Sequence, residues 1–195
     1  MTIPPDLVLE DDRVRLEPLA ARHLPALMRH CGDPALWEFT FQQNPLASVD
    51  GAQAWLAAAT DADAFRAFAV IDKATDEAVG STRFACIDAA YRSLEIGWTF
   101  YAKPYWRTGI NRACKALLLS YAFDTWKAVR VELKCDATNR RSAAAIEALG
   151  ATYEGTRRDC RIRPDGERRG ASYFSILEAE WPRVQRGLKR RPRSV

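Results

Sequence analysis

The stretch Glu95–Arg112, EIGWTFYAKPYWRTGINR, is the most informative in the chain. It begins with the alternation of a strand and ends at Gly109-Ile110-Asn111-Arg112, where a helical period opens. A helix N-terminus presents unpaired N–H donors and the positive end of its dipole, a natural anion site. Arg107 and Arg112 bracket the turn with full charges, and Gly109 lets the backbone approach a phosphate closely. The spacing is neither a Walker A loop nor G-x-G-x-x-G. On these residues alone the junction is either a phosphate site or a plain helix start.

Other residue types narrow the chemistry. Cys31, Cys86, Cys114, Cys135 and Cys160 are odd in number and widely spaced, with no C-x-x-C and no Cys/His cluster, which argues against structural zinc. Cys86, Cys114 and Cys135 fall at apolar-periodic positions and read as small core residues. Reduced thiols fit a cytoplasmic protein. His23 and His30 sit on the first helix, at the surface or core edge, and no serine–histidine pair has a triad context.

The elements that must position these residues follow from the periodicity. The chain of 195 residues is long enough for one domain, and its 48% hydrophobic and 28% charged residues are those of a globular protein. No run approaches the about 18 apolar residues of a membrane span, and Met1–Asp12 lacks the pattern of a signal peptide. The net charge of +4 is concentrated in Arg183, Arg186, Lys189, Arg190, Arg191 and Arg193, so the rest of the chain is net acidic. The basic tail is either a solvated terminus or a contact for RNA, a ribosome or an acidic membrane.

Val14–Leu19 reads as a strand, Ala21–His30 as a helix, and Asp50 as the N-cap of a helix to about Ala59. Phe65–Ile71, Val79–Ile87 and Ser93–Tyr101 then read as three strands of an antiparallel meander. Gly109–Lys127 is a helix with a wide apolar stripe, and Val129–Asp136 a cleanly alternating strand. The connection between strands 93–101 and 129–136 is a parallel, right-handed crossover. Asn139–Leu149 is a helix closed by Gly150, residues 153–163 and 168–177 flank a Pro164-Asp165-Gly166 turn, and Glu178–Leu188 is a last helix. The expected fold is α/β (α+β): a mixed, mostly antiparallel sheet of about seven strands with helices on both faces.

In this setting Glu95–Arg112 resembles motif A of the GNAT acetyltransferases, whose Q/R-x-x-G-x-G/A turn holds the pyrophosphate of acetyl-CoA. Asn139-Arg140-Arg141-Ser142 with Gly150 and Glu154-Gly155 resembles the N-x-x-S…L-G-(x)n-E-G pattern of the RimJ/RimL-like branch. Val14–Leu19 is similar to that branch's opening strand, and Tyr173–Leu177 with Glu180-Trp181-Pro182 to its close. The resemblance spans about residues 13–187 and implies one acetyltransferase domain, 1–187, followed by the tail 188–195. Trp106 stands where the motif has Gln or Arg, and Asn111 where it has Gly or Ala.

The resemblance implies acetyl-CoA as co-substrate, no metal, and transfer to a primary amine, either a protein N-terminus or a small amine. The alternative is a non-catalytic module that binds CoA or RNA. Acetyl-CoA is expected along Trp98, Thr99 and Phe100, on the turn Arg107, Thr108, Gly109, Ile110, Asn111 and Arg112, and at Asn139. Glu95 is then either the proton acceptor for the attacking amine, directly or through water, or a strand residue that is solvated or paired with a neighbouring basic group. Gly97 suggests a bulge that frees an amide to polarise the thioester. The family's tyrosine seven residues after Asn139 is Ile146 here, and Ser142, the only hydroxyl of that helix, either meets the departing thiolate or supports the helix start. Trp37, Phe39, Phe41, Tyr91 and Trp98 are either core residues or candidate walls for the acceptor, Trp37 and Tyr91 foremost. A monomer and a homodimer are both compatible with the sequence.

Overall fold

The computed structural model describes residues 2–40, 42–61, 65–163 and 165–189. Phe41, Pro164 and the tail from Arg190 onward lie outside them. The described elements are β1 (Leu9–Glu10), β2 (Val14–Pro18), α1 (Leu24–Cys31), α2 (Val49–Ala59), β3 (Phe65–Asp72), β4 (Glu77–Asp88) and β5 (Ser93–Tyr101). They continue with α3 (Ile110–Ser120), β6 (Arg130–Asp136), α4 (Arg140–Glu147), β7 (Thr152–Ile162), β8 (Arg168–Leu177) and α5 (Trp181–Lys189). The strands form one eight-stranded sheet in the order β1-β2-β3-β4-β5-β6-β8-β7. Every neighbouring pair is antiparallel except β5 and β6. The strand beyond the expected seven is β1, a two-residue edge piece in which Leu9 pairs with Leu16.

Alternation along the strands divides the core between two faces. Val14, Leu16, Phe68, Phe84, Leu94, Ile96, Val131 and Leu133 pack with α3, α4 and α5 through Cys114, Leu118, Ile146 and Trp181. Ala69, Ile71 and Ala78 face the other way, toward Leu24, Leu27 and Cys31 of α1 and Ala52, Trp55 and Ala59 of α2. Each such fully buried Leu, Ile or Phe stabilises the fold by about 1.5–3 kcal/mol.

Four local features depart from the sequence expectation. Ser48, not Asp50, caps α2, its hydroxyl accepting from Gly51 N. The long third helix passes into a π-turn at Tyr121–Thr125. Glu178–Glu180 is a 3-10 turn, so α5 starts at Trp181; it runs to Lys189, and Leu188 packs on the core. Cys86 is exposed rather than core, because a bulge between Ala85 and Asp88 holds it at φ +48° and breaks the alternation.

The feature that creates a site is a fork. β5 and β6 pair only through Ser93–Glu95 against Arg130–Glu132. Beyond that point β5 stays with β4 as far as Tyr101, and β6 stays with β8 as far as Asp136. The sheet therefore opens between its two halves just past Glu95.

Candidate active site

Glu95 sits at the apex of the fork, in the last residue pair before the strands part. Leu94 and Ile96 point into the α3 side of the core, so Glu95 points to the face that carries α2. It is 2% exposed. Its Oε2 accepts from Lys134 Nζ at 2.6 Å, while Oε1 is buried without a partner. Burial raises its pKa, Lys134 opposes the rise, and Glu132 reinforces it. The room for this carboxylate comes from Gly97: a Cβ there would lie 2.8 Å from Glu95 Oε1.

A bulge follows immediately. Ser81 pairs with Phe100 and Arg83 with Gly97, so Thr82 faces two residues, Trp98 and Thr99. The sequence expectation of a bulge near Gly97 is thus met one residue later, with Trp98 at φ +49°. A tryptophan in this left-handed region costs about 1–2 kcal/mol, and the surroundings hold it there. Thr99 Oγ1 is 2.8 Å from Thr82 Oγ1 and accepts from Lys115 Nζ at 2.7 Å. Lys115 comes from α3, is 5% exposed, and has its pKa pulled down to about 8 by burial. Lys115 and Lys134 were not singled out in the sequence. Lys115 had a signal: it lies three and four residues before Leu118 and Leu119, inside the apolar stripe of its helix.

The entrance to α3 is open to an anion. Gly109, at φ +92°, is the N-cap, and no side chain caps the helix. Ala113 N is the first amide to bond back, to Gly109 O, which leaves the N–H groups of Ile110, Asn111 and Arg112 directed outward. Arg107 is exposed beside them, also left-handed, at φ +62°. Arg13, which the sequence did not flag, donates from Nη1 to Thr108 O at 2.9 Å. The Arg112 side chain is engaged elsewhere, for its guanidinium donates to the carbonyls of Ala148 and Gly187 at the ends of α4 and α5, while its amide stays at the helix start. Trp106 donates from Nε1 to Tyr101 O at 2.8 Å, and Arg141 of α4 stacks 3.8 Å from its ring centroid. This pair bridges the entrance of α3 and the start of α4.

Asn139 caps α4, its Oδ1 accepting from Ser142 N at 3.0 Å. The Ser142 side chain stands beside the Cys135 thiol on β6. Two candidate acceptor walls lie elsewhere. Trp37 is 5% exposed, packed 4.9 Å from Phe100 with its indole donating to Cys31 O, so it belongs to the α1–α2 core. Phe100 also contacts Trp55 in that core, which takes its ring away from the fork. Tyr91 is 77% exposed in the β4–β5 turn. Trp98 lies on the Glu95 face, with Lys134 Nζ 5.3 Å from its ring centroid. His23 bonds to Ala20 N and Glu17, and His30 to Glu77.

A split mixed sheet, a buried carboxylate at the split and an uncapped helix start after the same strand define an acyltransferase architecture. Residues 13–152 match the acetyltransferase (GNAT) domain family, and the chain belongs to that family. A solved structure of a GCN5-related N-acetyltransferase from Brucella melitensis is 29% identical, with TM-score 0.89 over 95% of this chain and 85% of that one. The uncharacterized N-acetyltransferase p20 of Bacillus licheniformis is 29% identical over 58% of this chain and 63% of its own length. YdaF of Bacillus subtilis, named as a candidate ribosomal N-acetyltransferase, is 33% identical over 49% of this chain and 51% of its own. The matches thus span less than two thirds of both curated relatives.

Proposed function

We propose that this chain transfers the acetyl group of acetyl-CoA directly to a primary amine, with no covalent enzyme intermediate. The observation that carries the reading is Glu95, a buried carboxylate with one unpartnered oxygen where β5 and β6 separate.

In this reading the diphosphate of acetyl-CoA rests on the free amides of Ile110, Asn111 and Arg112, with Thr108 and Gly109 shaping the turn and Arg107 and Arg13 adding charge. The pantetheine arm enters the fork beside Trp98 and Thr99, where the bulge frees an amide to polarise the thioester carbonyl. Asn139 offers its Nδ2 to the arm while its Oδ1 serves α4. An amine arrives mostly protonated at neutral pH. Glu95, with its pKa raised by burial, takes that proton, and the amine nitrogen attacks the carbonyl carbon. As the carbon–sulfur bond breaks, the nitrogen sheds its second proton, and the Ser142 hydroxyl relays it to the thiolate, taking one proton as it gives one, so that CoA leaves as the thiol. Lys115 is a positioning residue: through Thr99 it holds the bulge that aims the amide.

The body of the chain forms one acetyltransferase domain, and the basic tail docks it to RNA or ribosomal protein, in keeping with the name of the Bacillus subtilis relative. The test is thiol release from acetyl-CoA across N-terminal peptides, polyamines and aminoglycosides, with products identified by mass. Amine-dependent release with an acetylated product supports the reading. Tight acetyl-CoA binding without release for any amine contradicts it.

A further inference from the structure

Arg83 is a buried charge that the transfer chemistry does not use. It lies on β4 opposite Gly97, two residues from Ala85, the partner of Glu95. Thr82 and Phe84, its neighbours, serve the α3 side, so Arg83 leaves the sheet on the Glu95 face. It is 4% exposed, and its Nε has no hydrogen-bond partner among the described residues. Burial lowers its pKa, to about 10, and no acid among the described residues opposes the shift.

Its surroundings are rings. Phe65, Trp55 and Trp98 have their centroids 4.9, 5.6 and 5.9 Å from the guanidinium carbon. Ring faces attract the cation above and below its plane, but they offer the in-plane Nε–H no acceptor. A guanidinium carries five such donors in a flat fork and no acceptor. Burying a charged donor without an acceptor costs more than the about 1–3 kcal/mol of a neutral one. The group that fits a flat fork is a carboxylate held by two parallel hydrogen bonds.

The same face carries the opposite vacancy in bonding. Glu95 Oε1 is buried and lacks a donor. Trp98 joins the two places: its ring lies 5.9 Å from the Arg83 guanidinium carbon and 5.3 Å from Lys134 Nζ, which holds Glu95. Phe65 and Trp98 are only half-buried, so shifting their ring edges opens the guanidinium to a ligand. One face thus presents an unpaired acceptor, Glu95 Oε1, and an unpaired guanidinium N–H, Arg83 Nε, on either side of an indole.

We infer that the acceptor is a primary amine that also bears a carboxylate, with the amine at Glu95 and the carboxylate on Arg83. The inference rests on the acetyl-transfer reading above. It makes Arg83 the specificity-determining residue and predicts that the enzyme rejects acceptors whose carboxylate is masked.

The experiment compares matched acceptors, acid against amide: small amino acids against their amides, and peptides with Asp or Glu near the N-terminus against the Asn or Gln versions. Wild type should show a kcat/KM at least tenfold higher for the acids. The pair with the larger ratio tells whether the acceptor is a small molecule or a peptide. Arg83→Met should collapse the ratio toward one through a rise in KM for the acids. Arg83→Lys, which keeps the charge but not the fork, should fold as wild type and give an intermediate ratio. Acetylation of acids and amides at equal kcat/KM by wild type overturns this inference and leaves acetyl transfer standing. A ratio retained in both Arg83 variants also overturns it. Acetylation of no amine at all defeats the transfer reading itself, and this inference with it.

Discussion

Gly109→Glu isolates the helix-start anion site. At φ +92° any L-residue is strained, by about 1–2 kcal/mol. A Cβ would meet Arg13 Nη1 at 3.0 Å, the movable end of a side chain, so space is not the main obstacle. The new carboxylate lies at the positive end of α3, which returns about 0.3–1 kcal/mol. Net destabilisation is therefore about 1 kcal/mol, and the fold persists. Binding suffers far more. A carboxylate about 5 Å from a phosphate repels it by about 3 kcal/mol at an effective dielectric of 20, and it also occupies the amides of Ile110–Arg112. Acetyl-CoA affinity should fall by about 10²–10³-fold. Gly109→Ala carries the backbone strain without the charge and serves as the reference. Titration calorimetry with acetyl-CoA, alongside thermal unfolding, separates the two. Equal affinity losses in the Glu and Ala variants would refute the argument, because the charge would then do nothing.

Three further outcomes can be checked on the same protein. Lys115 has its folded pKa lowered to about 8 from 10.5, so the unfolded chain binds more protons between those values and wild-type stability should rise with pH across that window. Lys115→Met should abolish that rise in urea unfolding and lower kcat more than it raises KM; an unchanged pH dependence contradicts the buried ammonium. Ser142→Ala should keep acetyl-CoA affinity and lose most of kcat, with partial recovery from an acetyl donor whose thiol has a lower pKa; wild-type turnover would make the hydroxyl structural. Deleting residues 190–195 should leave transfer to a small amine intact and weaken binding to RNA or ribosomes, and undiminished binding removes the docking role.

Local periodicity carried much of the fold to the surface of the sequence. The clean alternation of Val131 and Leu133 against Glu132 and Lys134 marks β6, and Gly109 marks the start of α3. What stayed hidden depends on non-local register. Nothing near Lys134 in the chain reveals that a parallel pairing with β5 delivers its ammonium to Glu95. The Arg83 cage draws on α2, β3 and β5, three separate elements. Trp37 shows the opposite failure: its composition suits a cation pocket, but packing against Phe100 claims the ring for the core. Cys86 follows the apolar period until a bulge reverses it. Arg112 matches an anion site by spacing, yet two helix-end carbonyls hold its guanidinium, and only its amide remains at the helix start.

In the proposed reaction Glu95, at the fork, accepts the proton of the attacking amine. The most direct measurement is the pH–rate profile of Glu95→Gln beside wild type, with acetyl-CoA affinity determined in parallel. Gln keeps the shape and removes the basicity. The variant should lose about 10²–10⁴ in kcat, bind acetyl-CoA within about twofold of wild type, and lack the acidic limb that the Glu95 carboxyl imposes. A variant that keeps the wild-type limb and a kcat near wild type would contradict the assignment and leave solvent as the proton acceptor.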